Sequence, residues 1–218
     1  MKYTGKEYRM KNYIVTIARQ YGSGGREVGQ HLSEISGYKF YDKDLIILAA
    51  QKSGYSTDAL KNVDEKAANS LLYTLALGSA AYNHGIEHVN LPINDKLFVI
   101  QSEIIKDIAK KDEGAIIVGR CADYVLSGAP NLVRIYISAD FDARVKTVME
   151  RHSYTEAQAK DIIVKTDKRR ANYYSYYTGD KWGKADKYDL VVSTSTIGIR
   201  GAAELIHQYL KMLDAREQ

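Results

Sequence analysis

One cysteine, Cys121, stands in 218 residues, so no disulfide can form within the chain and nothing points to an oxidising compartment. No apolar run approaches the roughly 20 residues that a membrane-spanning helix requires. Residues 1–12 carry Lys2, Lys6, Arg9 and Lys11 but lack the apolar stretch of a secretory leader. They are expected to form a disordered tail, or an upstream extension of a chain that starts at Met10. Together these absences predict a cytoplasmic protein that does not engage a membrane. Phe and Trp are scarce, three and one, against 18 Tyr. Tyrosine joins a stacking face to a polar tip, which suits a nucleotide cleft as well as ordinary amphipathic packing.

Two further absences are local. No segment matches the full G-x-x-x-x-G-K-[ST] pattern of a standard phosphate-binding loop, and the apolar strand Ala115–Val118 does not end in the aspartate that commonly helps to hold magnesium beside it. What the chain does have is ordinary globular composition, 45% hydrophobic and 27% charged, and enough length for one α/β domain with a proper core. The formal charge is only +4, and the stretch Lys160–Lys187, with eight Lys or Arg against four Asp, carries that whole excess. So local a cluster fits a small anionic ligand better than the broad footprint of a nucleic acid.

The rest is organised around residues 13–29. Tyr13–Ala18 is a short β-branched, apolar run, the type expected of a strand covered on both faces. Gly22, Gly24 and Gly25 follow. An amphipathic helix then starts at Arg26, with Val28, Leu32 and Ile35 predicted on one face. A strand that enters a glycine turn and leaves as a helix aims backbone N–H groups and a helix dipole at one point, which suits phosphate. With Gly25 taken as the last glycine of the standard loop, Gln20 replaces the first glycine, Arg26 the lysine and Glu27 the Ser/Thr. Arg26 keeps a permanent cation with a planar fork for phosphate oxygens, and Glu27 is a hard oxygen donor for Mg²⁺. The plainer reading is a turn that is glycine-rich only because the chain bends tightly.

Further along, Tyr38–Tyr41 reads as a second strand and Asp42 as the cap of a helix Lys43–Lys52. Placed at the end of a strand, Asp42 and Lys43 also face the crevice where open α/β sheets bind ligands. Residues 54–92 show no strand signal. Ser70–Ala81 suggests a helix, and His84 and His88 suit exposed loop positions better than metal ligation. Asn94 is expected to cap a helix Asp95–Lys111 whose apolar face is Leu97, Ile100, Ile104, Ile105 and Ile108, with Gln101, Ser102 and Glu103 facing solvent. Ala115–Val118 is a fully apolar strand, and Gly119-Arg120 at its end projects a cation toward the same crevice, unless Arg120 merely pairs with local carboxylates. Leu132–Ser138 is another core strand, followed by a helix from Asp140 to Arg151. Thr155 and Gln158 form a capping box that opens a long helix bearing Lys165, Lys168, Arg169 and Arg170. Of these, Lys165, Lys168 and Arg169 can share a face, and the helix can close over a triphosphate as a lid. The alternative is a solvated basic face balanced by Asp161 and Asp167. Gly179 ends that helix, Tyr188–Ser193 is the last strand and Ile199–Leu213 the closing helix.

The stretch Arg19-Gln-Tyr-Gly-Ser-Gly-Gly-Arg-Glu-Val-Gly resembles the loop of the cytidylate kinase-like family, P-loop proteins related to the bacterial CMP kinases. Phe40-Tyr-Asp-Lys-Asp-Leu-Ile, Ile117-Val-Gly-Arg-Cys-Ala-Asp-Tyr-Val-Leu and Thr166-Asp-Lys-Arg-Arg-Ala-Asn-Tyr-Tyr-Ser-Tyr-Tyr-Thr-Gly resemble it too, in the family's order. The resemblance implies a three-layer α/β P-loop kinase fold, a parallel sheet with helices on both faces, within one domain over 13–214. It further implies a helical acceptor-binding insertion at 54–92 and a helical lid at 151–180. The implied activity is transfer of the γ-phosphoryl group of ATP, with Mg²⁺, to a small acceptor such as a nucleoside monophosphate. Gln20, Gly22, Ser23, Gly24, Gly25, Arg26 and Glu27 would hold the donor. Arg26, Lys168 and Arg170 would act on the transferred group, and Asp42, Lys43, Arg120 and Asp123 would place the acceptor. Where CMP kinases alternate Arg and Asp through the lid, this chain has Asp167-Lys-Arg-Arg-Ala-Asn, so Arg169 replaces a carboxylate expected to read cytosine. Because the loop also lacks its lysine and hydroxyl, a nucleotide-sensing protein without turnover is the alternative from a different class.

Overall fold

A computed structural model describes residues 11–42, 93–111 and 113–216. Among them five strands form one sheet in the order β2-β3-β1-β4-β5, with every pairing parallel. The strands are β1 (Ile14–Arg19), β2 (Lys39–Tyr41), β3 (Ala115–Val118), β4 (Leu132–Ser138) and β5 (Leu190–Ser193). The central strand β1 lies between β3 and β4, so the loop that leaves it opens onto the middle of the carboxyl edge of the sheet, where open α/β sheets bind ligands.

Alternation along the strands sends side chains to two faces, and each face finds a helical cover. Val15 and Ile17 of β1 pack with Val28 and Leu32 of α1 (Gly25–Ser36) and with Ala202, Ala203, Ile206 and Leu210 of α6 (Thr194–Arg216). Ile14, Ala115 and Ile117 point the other way, onto Leu97, Ile104, Ile105 and Ile108 of α2 (Ile93–Ala109) and Ala122 and Leu126 around α3 (Ala122–Val125). A smaller cluster joins α4 (Phe141–His152) to α5 (Glu156–Thr178) through Val145, Val148, Ala159 and Ile163. The parallel sheet with helices on both faces is therefore the observed architecture.

Several local expectations change. The buried face of α1 is Gly25, Val28, Gly29 and Leu32, and Ile35 in its last turn is exposed. Gly29 takes a share of that face because Phe40 sits where its Cβ would be, at 2.9 Å. On α2, Gln101 is buried rather than solvent-facing. It falls four residues after Leu97 and four before Ile105, so helical geometry puts it on the apolar stripe; Glu103 is exposed as expected. That helix opens at Ile93, so Asn94 lies inside it. The closing helix begins at Thr194 and kinks at Gly198 (φ 70°, ψ 176°) before the stretch that starts at Ile199. Lys43, the helix Lys43–Lys52, the 54–92 insertion and both His84 and His88 lie outside the described residues. No described helix is long and apolar enough to cross a membrane.

Candidate active site

The glycine loop begins where β1 ends. Gln20 continues the β1–β4 ladder, its N–H donating to Ile137 O at 3.0 Å, while its side-chain Oε1 accepts from Ala139 N at 3.1 Å. Ser23 folds back, its hydroxyl donating to Gln20 O at 2.9 Å. Gly22 (φ 80°) and Gly24 (φ 74°) are left-handed, a conformation that side chains resist. Gly24 caps α1 with no side chain, and the first helical bond runs from Val28 N to Gly24 O. The N–H groups of Gly25, Arg26 and Glu27 thus form the open first turn of a helix, the arrangement that receives phosphate oxygens.

The two charged residues after the glycines are each engaged by a partner. Arg26 grips Asp42 through Nε and Nη2, both 2.7 Å from Oδ2, and its guanidinium lies 5.9 Å from the centre of the Phe40 ring. Glu27 pairs with Arg151 of α4 at 2.6 Å. Asp42 is buried at the end of β2, so the Arg26–Asp42 pair spans the gap between the proposed donor and acceptor residues.

At the end of β3 the backbone is unusual. Gly119 (φ 80°), Arg120 (φ 62°) and Cys121 (φ 53°) are three successive left-handed residues. For Arg120 and Cys121 that costs about 1–2 kcal/mol each. The conformation lets Arg120 reach the Tyr173 hydroxyl and buries Cys121, whose thiol is pushed up to about 12 by burial and the nearby Asp123 charge. Asp123 is itself buried and accepts the Tyr174 hydroxyl at 2.8 Å. Burial raises its carboxyl above the ordinary range, against the opposing effect of that hydrogen bond.

Along α5 one stripe faces the loop. Asp167 accepts from Tyr21 N at 2.8 Å and from Arg144 Nη1 at 2.6 Å. Arg170 donates to Arg19 O at 2.8 Å and covers the Tyr21 ring at 5.5 Å. Tyr174 holds Asp123, and Tyr177 donates to Asp95 at 3.0 Å while stacking on Phe98 at 4.0 Å. The remaining cations of this helix look elsewhere: Lys160 pairs with Glu156 at 2.5 Å, Lys165 with Asp161 at 2.7 Å, Arg169 donates to Thr166 at 3.0 Å, and Lys168 is exposed. So the basic run divides. Asp167 and Arg170 serve the loop, and the Asp161–Lys165 pair is the solvated face.

The structure therefore gathers Gln20 to Glu27, Asp42, Arg120 and Arg170 at the carboxyl edge of the sheet, fastens Asp123 to α5, and leaves Lys168 on the outside. It adds residues that sequence reading passed over. The Thr194 hydroxyl, at the start of α6, donates to Ser23 O at 2.8 Å. Arg19 is packed at the head of the loop, and its guanidinium lies against Gly119. Burial first, then the charges of Arg170 and Arg120, pull it down to about 9, with Asp42 and Glu27 acting in the opposite direction. Arg170 is also held below the usual arginine range by burial. Arg19 had a signal, a charge closing an apolar strand at the carboxyl edge of the sheet, the same one that singles out Arg120. Among the described residues no group of three His, Cys, Asp or Glu gathers as a metal site. Glu27, the one candidate ligand, is committed to Arg151. A magnesium ion brought in with a triphosphate would also take ligands from phosphate oxygens and water.

A glycine loop between the central strand of a five-stranded parallel sheet and its first helix, roofed by a helix carrying cations, defines a P-loop kinase fold. The chain belongs to the cytidylate kinase-like family, whose profile matches residues 14–196. A cytidylate kinase of Methanoculleus marisnigri is 26% identical over 113 residues, which span 52% of this chain and 61% of that protein. The solved structure of an uncharacterized protein from Eubacterium ventriosum superposes with a TM-score of 0.68 at 26% identity, covering 91% of this chain and 98% of that one. A gluconokinase from Sinorhizobium meliloti shares the fold at a TM-score of 0.51 and 13% identity, over 96% of this chain and 100% of its own.

Proposed function

We propose that the protein transfers the γ-phosphoryl group of ATP to a small acceptor, most readily a nucleoside monophosphate. The observation that carries this reading is the convergence of Arg120 and Arg170 on Arg19 beside the open first turn of α1, close enough that their charges lower the proton affinity of the Arg19 guanidinium. Like charges held together and partly out of water are costly unless an anion neutralises them, and a triphosphate meeting a phosphate monoester brings several. The loop would cradle the donor phosphates, with ATP·Mg²⁺ as the donor. Arg170 would neutralise charge on the transferred group, with the exposed Lys168 adding to it on closure. Arg120 would receive the acceptor phosphate, flanked by Asp42 and Lys43, while Asp123 fixes the end of β3 against α5. An acceptor oxygen would form the new P–O bond to the γ-phosphorus as the bond to the β–γ bridging oxygen breaks and ADP leaves. Such a reaction needs positioning and electrostatic stabilisation, not a covalent intermediate. The test is ADP release with ATP·Mg²⁺ and CMP, UMP, dCMP, AMP or GMP in turn. One acceptor raising the rate well above the acceptor-free background supports the proposal; none doing so refutes it for nucleotides.

The second reading, nucleotide sensing without turnover, draws on the Arg26–Asp42 and Glu27–Arg151 pairs, which occupy the loop's charged side chains. Calorimetric binding of ATP with no acceptor-dependent ADP would favour it.

A further inference from the structure

We propose that Arg19 does the work of the lysine missing from the phosphate loop, the cation having moved from the end of the loop to its beginning. The inference rests on reading the loop as the donor-phosphate site.

Glycines that a backbone requires differ from glycines that a neighbour requires. Gly24 is required by the backbone, since it is left-handed and caps the helix. Gly25 is the first helical residue, where any side chain has suitable φ and ψ. What excludes one is Arg19: a Cβ on Gly25 would lie 2.5 Å from Arg19 Cβ and 2.8 Å from its Cγ. Because α1 starts at Gly25 with Gly24 as its cap, the structure makes Gly24, not Gly25, the last glycine of G-x-x-x-x-G-K-[ST]; the lysine position then falls on Gly25 rather than Arg26, and the first-glycine position on Arg19 rather than Gln20. Cation and glycine have therefore changed places, and the two residues touch. The stem of Arg19 fills the space that the first side chain of α1 would occupy. Its guanidinium extends to the end of β3, where Gly119 has no Cβ that would collide with it.

The fit at Gly119 adds a second, independent support. That residue stands at the end of the strand where related loops commonly have a metal-holding aspartate, and here a cation lies over it instead. Arg170 closes the other side by donating to the Arg19 carbonyl oxygen. The low proton affinity of the Arg19 guanidinium agrees with a charge held ready for an anion.

The test uses the full chain with inorganic tripolyphosphate and ATP, by calorimetry, alongside thermal unfolding of each variant. Arg19→Met keeps the stem and removes the charge. Its affinity is expected to fall roughly 10- to 100-fold, the scale of a lost charge-assisted contact, while its melting temperature without ligand holds or rises. Arg19→Gly is expected to lose affinity likewise, and Arg19→Gly combined with Gly25→Lys, which restores the standard order, to regain most of it. A purely structural role for Arg19 would not give that recovery. The inference is overturned if Arg19→Met binds tripolyphosphate as the unaltered chain does, if the folded double variant binds no better than Arg19→Gly, or if the unaltered chain has no affinity for tripolyphosphate. Failure of every acceptor in the ADP assay, with binding still dependent on Arg19, would refute phosphoryl transfer and leave the inference standing.

Discussion

Single residues show most directly where stability is spent at this site. Asp123 is a carboxylate held by the Tyr174 hydroxyl and by nearby backbone N–H groups in a buried setting, and its proton affinity is raised by that burial. Below the ordinary value of 3.8 the folded and unfolded chains both hold the proton and nothing is lost. As pH rises the unfolded chain ionises first, so the native state binds more protons and stability falls until the native group ionises as well. Asp123→Asn keeps an acceptor for Tyr174 and removes that dependence. Its urea midpoint is expected to exceed that of the unaltered chain by a margin that grows as pH rises above about 4 and levels once the native carboxyl has ionised. The burial of Asp123 could not be read from composition, since only packing against α5 takes it out of water, whereas that of Gln101 was legible in its spacing from Leu97 and Ile105. The place of Gly22 and Gly24 in the loop was likewise plain from spacing, because a left-handed turn demands glycine.

At the scale of an element, α5 is fastened to the body at Asp167, Arg170, Tyr174 and Tyr177, which recur at helical spacing and so share one stripe. Its start was legible. The Thr155–Gln158 capping box forms as expected, with Thr155 N donating to Gln158 Oε1 at 2.9 Å and Gln158 N to the Thr155 hydroxyl at 3.3 Å. Thr155→Ala should cost about 1 kcal/mol in a chemical denaturation curve, with no effect on nucleotide affinity. Asp167→Ala should cost more, about 3 kcal/mol, because it leaves Arg144, only 7% exposed, without its carboxylate. Adding Arg144→Met should recover part of that loss, and the double-mutant cycle measures how much. Sequence spacing pointed to Lys165, Lys168 and Arg169 as partners on one face, but which flank of a charged helix meets the body depends on what it packs against. Here Ala159 and Ile163 settle on Val145 and Val148, and this rotates Asp167 and Arg170 inward.

For the molecule as a whole, the cations brought to the carboxyl edge of the sheet predict strong linkage to anions. ATP at about 100 times its dissociation constant should add about 2.7 kcal/mol to the stability of the folded state. Its affinity should weaken as ionic strength rises from 50 to 500 mM, and differential scanning fluorimetry over a salt series checks both. The sequence by itself determined the strands, the Thr155–Gln158 capping box, the glycine loop and the family, because each rests on local chemistry: alternation and apolar runs, left-handed turns, and hydrogen bonds within a few residues. The tertiary structure alone decided the strand order and the meetings of residues far apart in the chain. Arg26 meets Asp42, Glu27 meets Arg151, and Arg170 meets Arg19 across 151 positions. Those pairings follow from the parallel crossovers, which carry the end of every strand to one edge before any side chain can find its partner. That is why a loop lacking its lysine in sequence acquires a cation in three dimensions.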